Sequence, residues 1–120
     1  MMDLFDLMVS PPQIEPVDTY GPVIQGDVDE VLTLPNKKQP LGAPTARIEL
    51  HKHTDGRWMW STSAELECRG FGYRVGPKWG KFAASRDDAL HWARKELCEK
   101  LSREDGHKVR TVLTWANSLT

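Results

Sequence analysis

Residues 46–66 read ARIELHKHTDGRWMWSTSAEL, and the register of this stretch decides the fold. Ile48 and Leu50 alternate with Arg47, Glu49 and His51, the period of two expected of a half-buried strand. Beyond Thr54, Asp55 and Gly56 a second run alternates. It sets Trp58, Trp60, Thr62, Ala64 and Leu66 on one face and Arg57, Met59, Ser61, Ser63 and Glu65 on the other. A two-residue Asp55-Gly56 turn places His53 opposite Trp58 and splits the apolar set between the two faces. A three-residue loop, with Gly56 left-handed as a bulge, pairs Leu50 with Trp60 and Lys52 with Trp58. All the large apolar groups then share one face, so the bulged hairpin is the expected form.

Downstream, Cys68-Arg69-Gly70 breaks the strand, and Phe71, Tyr73 and Val75 alternate again. Gly76-Pro77-Lys78-Trp79-Gly80 reads as a second turn, and Lys81 to Ala84 as a short returning strand. Ser85, with Asp88 three residues on, resembles a capping box and starts a helix whose first turn holds Asp87 and Asp88 where the helix dipole favours them. Ala89, Leu90, Ala93, Leu97 and Leu101 form its apolar stripe, opposite Arg94, Lys95, Glu99 and Lys100. Val109, Val112, Leu113, Ala116 and Leu119 give a second, weaker helical stripe. A strand over 108–115 is an alternative there, because the run is rich in β-branched residues.

Upstream the composition changes. Residues 1–40 carry seven acidic and two basic side chains and six of the eight prolines. Residues 41–120 carry ten acidic and fourteen basic ones and all five tryptophans. The net charge of −1 therefore hides an acidic arm of −5 on a basic domain of +4. Prolines recur through residues 10–46 too often for a helix or a central strand. The patch Val28 to Leu34 fits an edge strand or one helical turn. The expected fold is α+β: a three- or four-stranded antiparallel sheet packed against one helix, with a C-terminal helix. Residues 1–45 are expected to be a mostly disordered, acidic, Pro-rich arm and 46–120 the domain.

The residues point away from catalysis. No Ser/His/Asp or Cys/His constellation, paired carboxylates or phosphate-cradling loop stands out, so no enzyme activity and no cofactor is expected. His51 and His53 point the same way on one strand, but the three or four ligands of a zinc site are not evident, and no metal is expected. Cys68 and Cys98 match no metal spacing and read as free thiols of a cytoplasmic protein. No apolar run approaches the ~18 residues of a membrane span. The basic turn is the nucleic-acid candidate, a contact surface for DNA or RNA. Arg74, Lys78 and Lys81 would meet phosphates, Trp79 would stack on a base or sugar, and Arg57 would add a secondary contact. The contrary reading folds Trp79 back over the end of a small core. A protein partner of the acidic arm is the alternative function, as for an inhibitor or adaptor, and a free sheet edge offers a route to a homodimer.

Two stretches resemble known families. Asp3, Leu4 and Phe5 match the last three positions of the pentapeptide Gln-Leu-Ser/Asp-Leu-Phe, by which many bacterial proteins dock on the replication sliding clamp. Met1 and Met2 stand where Gln and Leu are expected; the resemblance implies partner binding through Leu4 and Phe5. Asp55, Gly56, Arg57 and Trp58, followed by Phe82, Ser85 and Ala89, are laid out as in two small sheet-plus-helix modules. One is similar to the arm-site-binding domains of phage and transposon integrases, whose sheet enters the major groove; the other is similar to HicB-type antitoxins, which grip a protein. The resemblance implies a mobile-element origin and either a nucleic-acid or a protein partner.

Overall fold

The computed structural model describes residues 9–39, 41–66, 69–104 and 106–119. In chain order the elements are β1 (Gln13–Ile14), β2 (Glu30–Leu34), β3 (Ala46–Lys52), β4 (Trp58–Glu65), β5 (Gly70–Gly72), a 3-10 turn (Pro77–Trp79), β6 (Lys81–Phe82), α1 (Arg86–Leu101) and α2 (His107–Ser118). The chain is α+β. Its main sheet is antiparallel in the order β2-β3-β4-β5, and β1 pairs with β6 in a second, two-stranded sheet.

The hairpin has the bulged register. Leu50 pairs with Trp60 and Lys52 with Trp58, and Gly56 closes the turn at φ 95°. Ala46, Ile48, Leu50, Trp60 and Ala64 consequently all lie in one core with α1, whose Ala89, Leu90, Ala93, Leu97 and Leu101 are buried there. Ser85 Oγ accepts from the Asp88 N–H at 3.1 Å and caps α1. Residues 107–118 are helical, and Val109, Val112 and Ala116 bury against the same core. The β-branched content of that segment is overridden by packing, because its apolar positions recur at helical spacing.

The strand count is met differently from the expectation. The fourth strand of the sheet is β2, which comes from the Pro-rich segment, and Leu32 and Leu34 pack on the helix-covered core. Residues 81–82 do not return beside β5; they pair with β1, and Ala83 bridges to Trp58. The alternation after Gly70 ends at Gly72, and Val75 turns inward to pack with Met59 and Phe82.

The described part of the arm is held on the domain along its length. The Trp92 indole N–H donates to Ser10 O, Glu15 N–H to Gly80 O, Asp18 N–H to Lys78 O and Ile24 N–H to Val75 O. Farther on, Arg86 at the start of α1 grips Glu30 of β2, with Nε to Oε2 at 2.8 Å. That pairing holds the Glu30 carboxyl below its ordinary pKa and the Arg86 guanidinium above its own. Most of these bonds use backbone groups, which even a proline-rich segment retains at its other residues.

This cover turns the second face of the hairpin into a second core. Met59, Val75 and Phe82 are buried there with Ile24 and Val28 of the arm against them. Glu49, on the same face, is 3% exposed. Its carboxylate accepts from Ser61 Oγ at 3.0 Å and from the Val75 N–H at 3.2 Å, with Arg74 3.9 Å away. A buried carboxylate is tolerated when donors meet its oxygens in this way.

Candidate functional site

The basic residues proposed as nucleic-acid contacts are brought close together, but none is free. Arg57 donates to Asp55, Gln13 and Glu15, and its guanidinium lies 3.9 Å from the Phe82 ring centroid. Arg74 Nε donates to Ile24 O at 2.6 Å. Lys78 Nζ donates to Thr19 O at 3.3 Å and sits over the Trp79 ring. The Trp79 indole donates to Arg74 O at 2.7 Å and packs edge-on against Tyr73. Lys81 is paired with Glu96 and lies 2.8 Å from Tyr73 Oη. The expected exposed tip is thus a half-buried 3-10 turn under the arm, with the tryptophan folded back. The reason is local: the carbonyls of residues 19 and 24 accept from Lys78 and Arg74, so each of these cations already has a partner within the protein.

Lys81 belongs to a network between sheet and helix. Glu96 Oε2 accepts from Thr62 Oγ1 at 2.5 Å and from Tyr73 Oη at 2.6 Å, and Lys100 stands 3.7 Å away. Burial pushes the Glu96 carboxyl up, but the donors Lys81, Thr62 and Tyr73 outweigh it and hold the group below its ordinary value. Burial, with the Glu96 charge beside it, drives the Tyr73 phenol well above its usual range. Glu96 thus ties α1 to β4 and to the segment around Tyr73 and Lys81, and a polar network satisfied in this way rigidifies its surroundings.

The strand histidines are likewise engaged. His51 Nδ1 accepts from the Asp29 N–H at 3.1 Å, and the His53 ring packs on Phe82 at 5.3 Å. Among the described residues, no three His, Cys, Asp or Glu side chains gather as a metal group. Cys98 is a half-buried free thiol whose burial raises its pKa, and Cys68 lies outside the described residues. Leu4 and Phe5 also lie outside the described residues. No helix is long and apolar enough to cross a membrane among the residues described.

Two features were not legible as sites in the sequence. The first is a display of apolar side chains. The large hydrophobic residues exposed among those described are Ile14 at 65%, Val17 at 60%, Tyr20 at 97%, Val31 at 47% and Leu41 at 103%, all within residues 14–41. Ile14, Val17 and Tyr20 sit on the stretch whose backbone is bonded to residues 78–82. Their spacing of three was visible in the sequence, yet nothing there indicated that the backbone between them is tied down.

The second is an open cleft of about 390 Å³ against strands β3, β4 and β5. Arg47, Ser63, Glu65, Gly72, Tyr73 and Arg74 line it, beside the Ala43-Pro44 loop. Two buried side-chain nitrogens lack an acceptor among the described residues, Arg47 Nε and Trp60 Nε1, and only Arg47 borders this cleft. A buried donor without a partner costs about 1–3 kcal/mol.

Comparison with models of protein families, with curated proteins and with solved structures gives no match to this chain.

Proposed function

We propose that the protein is a non-enzymatic protein-binding adaptor or inhibitor that presents its N-terminal segment on a small α+β platform. The observation that carries this reading is the exposed set Ile14, Val17 and Tyr20 on a backbone already fixed to the domain. Apolar side chains held outward in an extended segment are what a partner's groove recognises, and fixing the segment beforehand removes much of the ordering cost of binding. Tyrosine is the residue type of choice for such an anchor, being large, with few rotamers and a polar tip. The outer side of β1 carries no paired strand among the described residues, so a partner strand can extend the β1–β6 sheet.

The nucleic-acid reading asks for free cations at residues 57, 74, 78 and 81, and those cations are engaged by Glu15, Ile24 O, Thr19 O and Glu96. An acidic segment over a basic tip also weakens attraction to phosphates.

The test is a cross-linked capture from cells expressing the full chain, comparing wild type with the triple variant I14S/V17S/Y20S. A partner band that the wild type retains and the triple variant loses is the expected result. Alongside it, labelled single- and double-stranded DNA and RNA are titrated at two salt concentrations. Micromolar binding that falls steeply with salt, unaltered in the triple variant, overturns the proposal and restores the nucleic-acid reading.

A further inference from the structure

The cleft beside Arg47 has the makings of a small binding site of its own. Four residues form one row across all four strands of the sheet: Thr33 opposite Arg47, Arg47 opposite Ser63, and Ser63 opposite Gly72. In the neighbouring row Glu49 and Ser61 are buried. Of the row through Arg47, Arg47 itself, Ser63 and Gly72 line the cleft. Gly72 keeps that opening clear, because a Cβ there would lie 2.6 Å from Ser63 Oγ.

The electrostatics select the ligand. Arg47 borders the cleft and its buried Nε has no acceptor, so what the guanidinium can offer there, through its terminal nitrogens, is donors. Arg74 lines the same cleft with its Nε given to Ile24 O and one terminal nitrogen 3.9 Å from Glu49. Glu65 stands on the wall. Two arginines facing two glutamates leave no large positive excess. A polyanionic backbone is poorly served by that balance, whereas one monoanionic group with two oxygens suits a guanidinium whose donors are not taken. The volume accommodates one or two side chains rather than a large cofactor.

We infer that this cleft binds a peptide carboxylate, with Arg47 donating to its oxygens and Ser63 Oγ beside it. The carboxylate comes from an Asp or Glu side chain or from a free C-terminus of a partner polypeptide. The inference does not depend on the presented arm, and the triple variant above leaves this site intact.

The test reads the arginine Nε–H resonances of the full chain by nitrogen-15 NMR. Three peptides are titrated: an acetylated, amidated Gly-Asp-Gly; acetyl-Gly-Gly-Gly with a free C-terminus; and acetyl-Gly-Gly-Gly amide. A ten-residue oligothymidylate is added in a fourth series. The expected result is a saturable shift of the Arg47 Nε–H with a carboxylate peptide and none with the neutral amide; the tighter of the two carboxylates identifies the source. R47Q is expected to weaken binding about tenfold, the scale of a lost charge-assisted pair. E65Q is expected to tighten it about two- to threefold by removing a like charge from the rim. An Arg47 signal unmoved by both carboxylates overturns the inference, as does one that responds more tightly to the oligothymidylate.

Discussion

The two faces of the β3–β4 hairpin are built by different means. One face meets α1 and α2 and is a continuous apolar core of Ile48, Leu50, Trp60 and the helix stripe. The other meets an extended Pro-rich segment and mixes Met59, Val75 and Phe82 with a buried carboxylate, Glu49. The first is assembled from side chains that leave water; the second joins a smaller apolar cluster to a carboxylate met by Ser61 Oγ and the Val75 N–H, under a cover tied down through backbone groups. A sheet face that looks polar in sequence can therefore be buried, provided something with spare donors lies on it.

The largest expected break of this contrast is on the helix side. Leu97→Ala removes a fully buried side chain from that core and should cost about 2–5 kcal/mol in urea unfolding. On the covered face, Glu49→Ala leaves the Ser61 hydroxyl and the Val75 N–H without their acceptor, and a loss of about 1–3 kcal/mol is expected by the same measurement. Gly80→Ala tests the cover itself. Gly80 has φ 67°, and a Cβ there would sit 2.1 Å from Glu15 O. The substitution should cost about 1–3 kcal/mol, and limited proteolysis should cut within residues 9–25 faster than in wild type; unchanged cleavage means that the cover is not held at Gly80.

Acid should separate the faces more gently. The Glu96 and Glu30 carboxyls sit below their ordinary value of 4.5 in the folded chain. Their stabilisation is complete above that value and is lost as pH falls through the lower folded pKa values. Stability is therefore expected to decline below about pH 4.5, and Glu96→Gln should flatten the decline. The smallest effect is Ser85→Ala at the α1 cap, about 1 kcal/mol with the cover untouched.

What could be read in the sequence follows the same division. The hairpin register, the Ser85 cap and the α1 stripe were legible because each rests on side-chain periodicity or a local capping pattern. The cover was not, since bonds such as Ile24 N–H to Val75 O depend on backbone atoms that every residue carries. Beta-strand 2 was legible only as one alternative, its five residues alternating weakly between Leu32, Leu34 and exposed neighbours. The partners of the basic turn were hidden for a related reason. Charge and aromatic content are visible in sequence, but whether a carbonyl already caps Lys78 is a property of the fold. Arg47 gave no signal at all, because an arginine on the polar side of a strand looks like a solvated residue until the cleft around it is seen.

The cover also imposes an order of events during synthesis. Thr19 meets Lys78 across 59 residues of chain, and Ser10 meets Trp92 across 82. On a ribosome residues 10–24 are made before the residues that seat them, and are seated only after the hairpin and the first helix have emerged. Throughout that interval Ile14, Val17 and Tyr20 travel on a loose chain rather than a fixed one, and long-range closures of this kind slow folding. The finished protein acquires its presented segment only at the end.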